Sequence, residues 1–384
     1  MRTRSLFTCL TASVLLIGFV STASASVTGT PTRPCAQPDG RVDAMAISGG
    51  TLYIGGTFTH VKDLSGVSRI RGGLAAVDTT TCDLTDWTAA TDGAVLDLVV
   101  SGSTVYAGGA FMHVGGLARS RLAALDASTA DVRSFAPVFD KQVNGLLVLD
   151  TTLYAGGKFS KVGTAARSRL AAFDLGTGML SAAWQPKASD AVNTLALAAD
   201  GADVYVGGAF TTLNGQAAYA YLGAVDAGSG ASDSAFVPAP AYPILDLEAD
   251  DRGVYAGGGG HGGHLDIYNL NGTQQQPTYQ TDGNVQAVAF DGDSLWAGGH
   301  FTNYCVGGTG AGAPFICDVP LQRRKAFEVS LATGELTSWK PSFNKPFGVL
   351  VARADPATHA LWAGGDFTTV NGLAVAHLAR FNPS

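Results

Sequence analysis

The chain of 384 residues carries 24 Lys and Arg against 31 Asp and Glu, a formal charge of −7, and 50 glycines, roughly twice the usual share. This acidic balance offers no basic face for phosphates and excludes the ordinary nucleic-acid binder. With 46% apolar and 14% charged residues the chain can bury a large core, which excludes intrinsic disorder.

Residues 1–25 read as a signal peptide. Arg2 and Arg4 precede an apolar stretch over residues 10–20, too short to span a bilayer, and Ala23, Ser24 and Ala25 supply a small-x-small cleavage site. The expected mature chain is 26–384, secreted, with Arg2 and Arg4 removed and a charge of −9. No later run approaches the roughly 20 apolar residues of a membrane helix, so membrane insertion is not expected. Cleavage also removes Cys9 and leaves Cys35, Cys82, Cys305 and Cys317. An even set without a C-x-x-C spacing, in an exported chain, points to disulfides rather than metal thiolates. Of the three possible pairings, the local pair Cys305 with Cys317 is favoured, and Cys35 with Cys82 then follows. The chain-entropy model credits these loops with about 3 and 4 kcal/mol respectively.

One hexapeptide, aromatic-x-Gly-Gly-x-Phe, recurs from Tyr53, Tyr106, Tyr154, Tyr205, Tyr255, Trp296 and Trp362, and only the Tyr255 copy loses its Phe, to Gly260. The mean spacing is about 51 residues. A period near 50 with four short strands per repeat predicts propeller blades, and seven copies predict seven. Within the third repeat, residues 143–149, 152–159, 169–174 and 180–186 read as four strands, with a turn at Asp174 that recurs at Asp78, Asp126 and Asp226. No segment carries a helical period. After the last hexapeptide only one more strand follows, over residues 376–381. The missing fourth strand is sought at the other end, where residues 33–42 align with 133–143 and Asp39 falls on Asp140. The expected fold is therefore an all-β, seven-bladed β-propeller of four-stranded antiparallel blades, in one domain. Its N-terminal strand closes the last blade.

The run YAGGAFMHVGG from Tyr106, followed by RSRLAALD from Arg119, resembles the delta-60-type repeats of secreted actinobacterial β-propellers, and a similar repeat occurs in fungal cell-surface marker proteins. The resemblance spans essentially the mature chain. It implies the fold and a secreted location, and no particular chemistry. The paired glycines are also similar to kelch repeats, without the spaced downstream Tyr and Trp. AFDLGTG from Ala172, followed by Trp184, is similar to the blade motif of quinoprotein dehydrogenases, but no cofactor constellation accompanies it, and no cofactor is expected.

Propeller ligands usually sit at the mouth of the channel. Asp39, Asp92, Asp140, Asp190 and Asp282 precede the innermost strands, with Tyr242 and Lys345 at about that place in blades 5 and 7. A ring of carboxylates could hold a cation; the simpler reading is that Asp-Gly turns cap backbone groups. The innermost strands present Asp43, Asp97, Asn144, Asn193, Asp246 and Gln286, polar groups that either solvate the channel or bind within it. His60 and His113 share one repeat position and read as loop residues.

The departures from the repeat are more informative. Blade 5 replaces its loop with a glycine run ending in His261 and His264, and blade 6 carries an insertion over residues 304–320 tied by the expected Cys305 to Cys317 bridge. Blade 4 has Tyr219 and Tyr221 where blades 2 and 3 have Arg119, Arg121, Arg167 and Arg169. A notch between an aromatic wall and a stapled lid follows. Tyr219, Tyr221, Tyr242 and Tyr304 could stack on sugar rings, with Asn303 and the histidines as hydrogen-bond partners. Alternatively, His261 and His264 with His300 could hold a divalent metal, or a His and a Tyr could form an acid–base set for a polysaccharide lyase. A third reading is neutral loop variation or a protein-binding face. No G-x-S-x-G, H-E-x-x-H or phosphate loop is present, and no metal is assigned. The favoured reading is a monomeric, non-enzymatic module for an extracellular glycan or protein, acting through the loops of blades 4 to 6. The alternative is the lyase.

Overall fold

A glycine pair ends the second strand of every repeat, and the reason lies in the repeat that follows. In a computed structural model, which describes residues 26–275, 278–309 and 316–384, a Cβ on Gly55 would come within 2.5 Å of Val95 Cγ1, and one on Gly156 equally close to Val192. Each first glycine thus seats the β-branched residue that opens the next repeat. The series returns on itself, because Gly364 of the last repeat seats Val42 of the first. Residues 1–25, the expected signal peptide with Cys9, and residues 310–315 within the insertion lie outside the described residues.

The chain is all-β, with one short 3-10 turn, Ala217–Tyr219, and no other helix among the described residues. None is long and apolar enough to cross a membrane. Seven units follow one plan. First strands Val42–Ser48, Val95–Ser101, Val143–Leu149, Val192–Leu197, Ile244–Ala249, Val285–Asp291 and Val349–Ala354 each pair antiparallel with the hexapeptide strand that follows. A third strand then pairs on the far side of each hexapeptide strand, as Leu170–Asp174 does with Thr152–Gly157.

The expected fourth strand is a strand of its own in unit 1, where Leu84–Thr88 joins Leu74–Asp78, and in unit 5, where Tyr279–Thr281 joins Gly263–Tyr268. In units 2, 3, 4 and 6 it shrinks to single bridges, Leu125 with Val132, Phe173 with Leu180, Val225 with Ser232 and Val329 with Leu336. Beyond the positions that match Thr88 the ladder cannot grow in those units, because Pro137, Pro186, Pro238 and Pro341 stand there, whereas residues 84–91 contain none. A proline has no N–H to extend a ladder.

Seven apolar clusters form among the described residues, each shared by two consecutive units. One of them joins Val351, Trp362 and Leu378 of unit 7 to Val42, Met45 and Ile54 of unit 1. The leading segment lies along the last strand: Val27 bridges Pro383, and the Thr28 and Thr32 N–H groups donate to the Asn382 and Arg380 carbonyls at 2.8 and 2.7 Å. Both expected disulfides are present, with Cα separations of 4.8 Å for Cys35–Cys82 and 5.2 Å for Cys305–Cys317.

Between the second and third strands most units insert a small hairpin. His60–Lys62 with Ser68–Ile70 and Lys161–Val162 with Ala165–Ala166 are examples, and the pair lengthens to Asn303–Thr309 with Ile316–Gln322 in unit 6. Unit 5 has no such hairpin. Its third strand, Gly263–Tyr268, pairs directly with Tyr279–Thr281, which leads into unit 6.

Candidate functional site

Two places gather the polar residues singled out by the sequence. Asp43, Asp97, Asn144, Asn193, Asp246 and Gln286 all line one cavity of about 500 Å³ between the first strands. Four of the six are clasps between neighbouring units. The Asn144 amide donates to the Val192 carbonyl and the Asn193 amide to the Ile244 carbonyl, both at 2.8 Å. Asp97 accepts from the Leu146 N–H at 2.6 Å and Asp246 from the Val288 N–H at 2.9 Å.

Every first strand carries a register shift near its start, and the clasps come in two kinds according to whether the polar residue stands at that shift or just after it. Asn144 and Asn193 occupy the shifted position; in units 2 and 5 that position is Leu96 and Leu245, and the next residue, Asp97 or Asp246, takes over. Asp43 pairs instead with Arg41 at 2.6 Å. Its Oδ2 and the Gln286 Oε1 have no partner among the described residues.

In the same cavity Glu248 faces Arg353 at 3.5 Å, a pair that the sequence reading missed although each interrupts an apolar strand. Burial pushes Asp97 up to about 6 and Glu248 up to about 7, with Arg353 opposing. Burial works against the guanidinium as well, but Glu248, Asp246 and Asp97 outweigh it and raise the Arg353 pKa. Glu248 and Arg353 keep 28% and 29% of their side-chain surface open. Both line the cavity, where water can reach them, so the desolvation is partial.

The outer ring of carboxylates is a capping device. Asp39, Asp92, Asp140 and Asp282 each accept two consecutive backbone N–H groups from the loop after the hexapeptide, for example Met112 and His113 on Asp92 at 2.7 and 2.9 Å. The His113 side chain, with those two N–H groups, holds Asp92 down at about 2. His60 and His113 are partners of this cap, bonding Asp39 and Asp92. In unit 4 the cap is Ser189 rather than Asp190, and in unit 7 it is Asn344 rather than Lys345, one residue earlier than the sequence alignment placed them.

The second place is the unit 5 notch, a pocket of about 370 Å³. Tyr242, His261 and His264 line it, as the sequence predicts. Pro240, Pro243, Tyr268, Gln274, Thr278 and Gln280 join them, none of which the sequence reading named. Tyr242 and His264 stack with centroids 3.9 Å apart and planes 8° from parallel. Burial lowers the His264 pKa to about 4, so the ring is neutral at physiological pH, and its Nδ1 has no partner among the described residues. Behind the pocket Asp266 is fully buried and accepts from the Tyr242 hydroxyl and from Gln274 Nε2, the latter at 2.7 Å.

The other predicted wall residues lie elsewhere. Tyr219 is buried and its hydroxyl donates to the Asp233 carbonyl at 3.0 Å. Arg71, Arg119, Arg167 and Arg323 reach the carbonyl fourteen residues onward in the same way, so Tyr219 is a structural stand-in for an arginine. Tyr221 packs on the cluster between units 4 and 5, with the positive φ of 68° that Arg121 and Arg169 share. Tyr304 packs edge-on to Phe327, Asn303 donates to Asp282, and the Asn284 N–H approaches His300 Nε2 at 3.4 Å. These three do not line the pocket. Among the described residues no group of three or more His, Cys, Asp or Glu is placed to hold a metal ion, so His261, His264 and His300 do not converge on one.

No family model matches the chain, and no curated protein matches it. Among solved structures it is similar to the crystal structure of the computationally designed Ika8 protein, at 13% identity and a TM-score of 0.52, over 90% of this chain and 98% of that one. At that identity the likeness concerns the fold alone.

Proposed function

We propose that the chain is a secreted seven-bladed β-propeller, closed by its own leading segment, that binds a neutral extracellular glycan in the unit 5 notch. Ring closure is supported by the first strands, each of which packs on the next, with the seventh back on the first, and by the shared cluster of units 7 and 1. Export is supported by residues 1–25 and by the two disulfides.

The observation that carries the binding reading is the lining of the notch: aromatic and proline surface with uncharged hydrogen-bonding groups and no Lys or Arg. Such a surface suits a sugar, which presents apolar ring faces and polar edges. A uronate-cleaving lyase finds less support, because no Lys or Arg among the described lining residues would meet its carboxylate. Its tyrosine base would also have to ionise, whereas burial and Asp266 push Tyr242 far above its ordinary value.

The test is a neutral-oligosaccharide binding screen on the mature protein. Tyr242→Ala and His264→Ala should each weaken any hit by about tenfold or more, while Tyr221→Ala leaves it within about twofold. Equal losses in all three variants, or a hit whose binding follows added divalent metal, would refute the assignment.

A further inference from the structure

The buried Asp266 is hydrogen-bonded by residues that line the notch. Besides the bonds from Tyr242 and Gln274, the hydroxyls of Tyr268 and Thr278 lie close enough to interact with it, and the Gln274 Nε2 also donates to Thr278 at 2.9 Å. All four of these side chains line the pocket, and Asp266 itself is wholly covered. An ionised carboxylate only accepts, at about four lone-pair sites. Each group bonded to it must therefore turn its proton away from the pocket.

We propose that Asp266 is the specificity-determining residue of this site: by claiming the protons of Tyr242, Tyr268, Gln274 and Thr278 it leaves an acceptor-only wall, which selects ligands rich in hydrogen-bond donors, such as unblocked sugar hydroxyls. Once each tyrosine has donated its single O–H proton, only oxygen lone pairs remain to it. Gln274 has spent both amide protons and keeps Oε1, and Thr278, donating to Asp266 and accepting from Gln274, has at most one lone pair left. Along this wall a ligand offering only ether or carbonyl oxygens would meet acceptor against acceptor, which leaves buried groups unpaired on both sides, and the donors left to it are those of His261, His264 and Gln280 on the rest of the lining.

The groups facing Asp266 are Tyr242 from the segment before the first strand, Tyr268 from its own strand, and the uncharged Gln274 and Thr278 from the segment after it; His264 stacks on the far partner. Desolvation raises the Asp266 carboxyl to about 6 against the pull of these donors. It is thus ionised above neutral pH, and the wall is acceptor-only there. Below that range a protonated Asp266 becomes a donor, the contact that receives its proton must reverse, and donor selectivity should fade.

The inference rests on the glycan reading of this pocket, and its test has two arms. In the first, methyl β-D-glucopyranoside and its fully O-methylated ether are titrated into mature protein above pH 7, with binding read by NMR. The hydroxylated probe should be preferred by about tenfold or more, and Asp266→Asn, whose amide donates, should cut that preference to about threefold or less. In the second arm, without ligand, the Cζ resonances of Tyr242 and Tyr268 are followed against pH in the wild type. They should titrate together with the Asp266 carboxyl near pH 6. Tyrosine resonances that stay flat through that range, or a preference untouched by Asp266→Asn, would overturn the inference. Binding of neither probe would count against the glycan reading, and the tyrosine titration would then decide the role of Asp266 alone.

Discussion

Units 3 and 5 are built on the same three strands, yet one is closed and the other open. In unit 3 the hairpin Lys161–Val162 with Ala165–Ala166 bridges Phe139, and Asp140 caps the Ser160 and Lys161 N–H groups. In unit 5 the glycine run from Gly257 removes the hairpin, and Tyr242 turns to stack on His264 and bond Asp266. A repeat protein can thus make a pocket by deletion: the missing hairpin opens the site, and Asp266 stands there at the register position that Ala171 fills in unit 3.

The largest effect that would sharpen this contrast is on stability. Tyr154 is buried against Trp184 and donates to the Ala227 carbonyl at 2.8 Å. Tyr154→Ala should therefore cost about 3–5 kcal/mol by denaturant unfolding. Tyr242→Ala should cost less than half of that, because Tyr242 borders a pocket. Similar losses in both variants would mean that the notch is ordinary core.

A smaller effect concerns the cavity between the first strands. Asp97 and Glu248 are raised by burial, to about 6 and about 7, so each group is more easily protonated folded than unfolded. Their contribution is fully present below the unfolded carboxyl range and is lost as pH rises through the folded values. Between about pH 4.5 and 7.5, Glu248→Gln should therefore gain on the wild type by about 1–2 kcal/mol, after allowance for the open cavity. Stability curves that run parallel over that range would show that Arg353 already neutralises the pair.

The smallest effect tests the stand-in. Tyr219→Phe removes one hydroxyl bond to the Asp233 carbonyl and should cost about 1 kcal/mol, with glycan binding unchanged. A loss of binding would return Tyr219 to the wall of the notch.

Much of this was legible in the sequence because it is local. The hexapeptide placed all seven second strands, the cysteines paired as expected, and the Tyr242, His261 and His264 grouping emerged from a deletion visible against the repeat. The capping role of Asp140 followed from its repetition. The alignment failed by one residue at Asp190 and Lys345, where Ser189 and Asn344 do the same work with a different side chain.

What the amino-acid order determined by itself was periodicity: strand positions, turn aspartates and glycine pairs, each dictated by backbone requirements within a few residues. What only the tertiary structure decided was which polar side chains find partners across units. Asn144 meets the Val192 carbonyl while Gln286 Oε1 finds no hydrogen-bond partner among the described residues, Tyr219 ends on a carbonyl while Tyr242 ends on a buried carboxylate, and Arg353 comes opposite Glu248 more than one hundred residues away. Those outcomes depend on the approach of chain segments remote in sequence, and a hydrogen bond forms or fails over distances that no repeat pattern encodes.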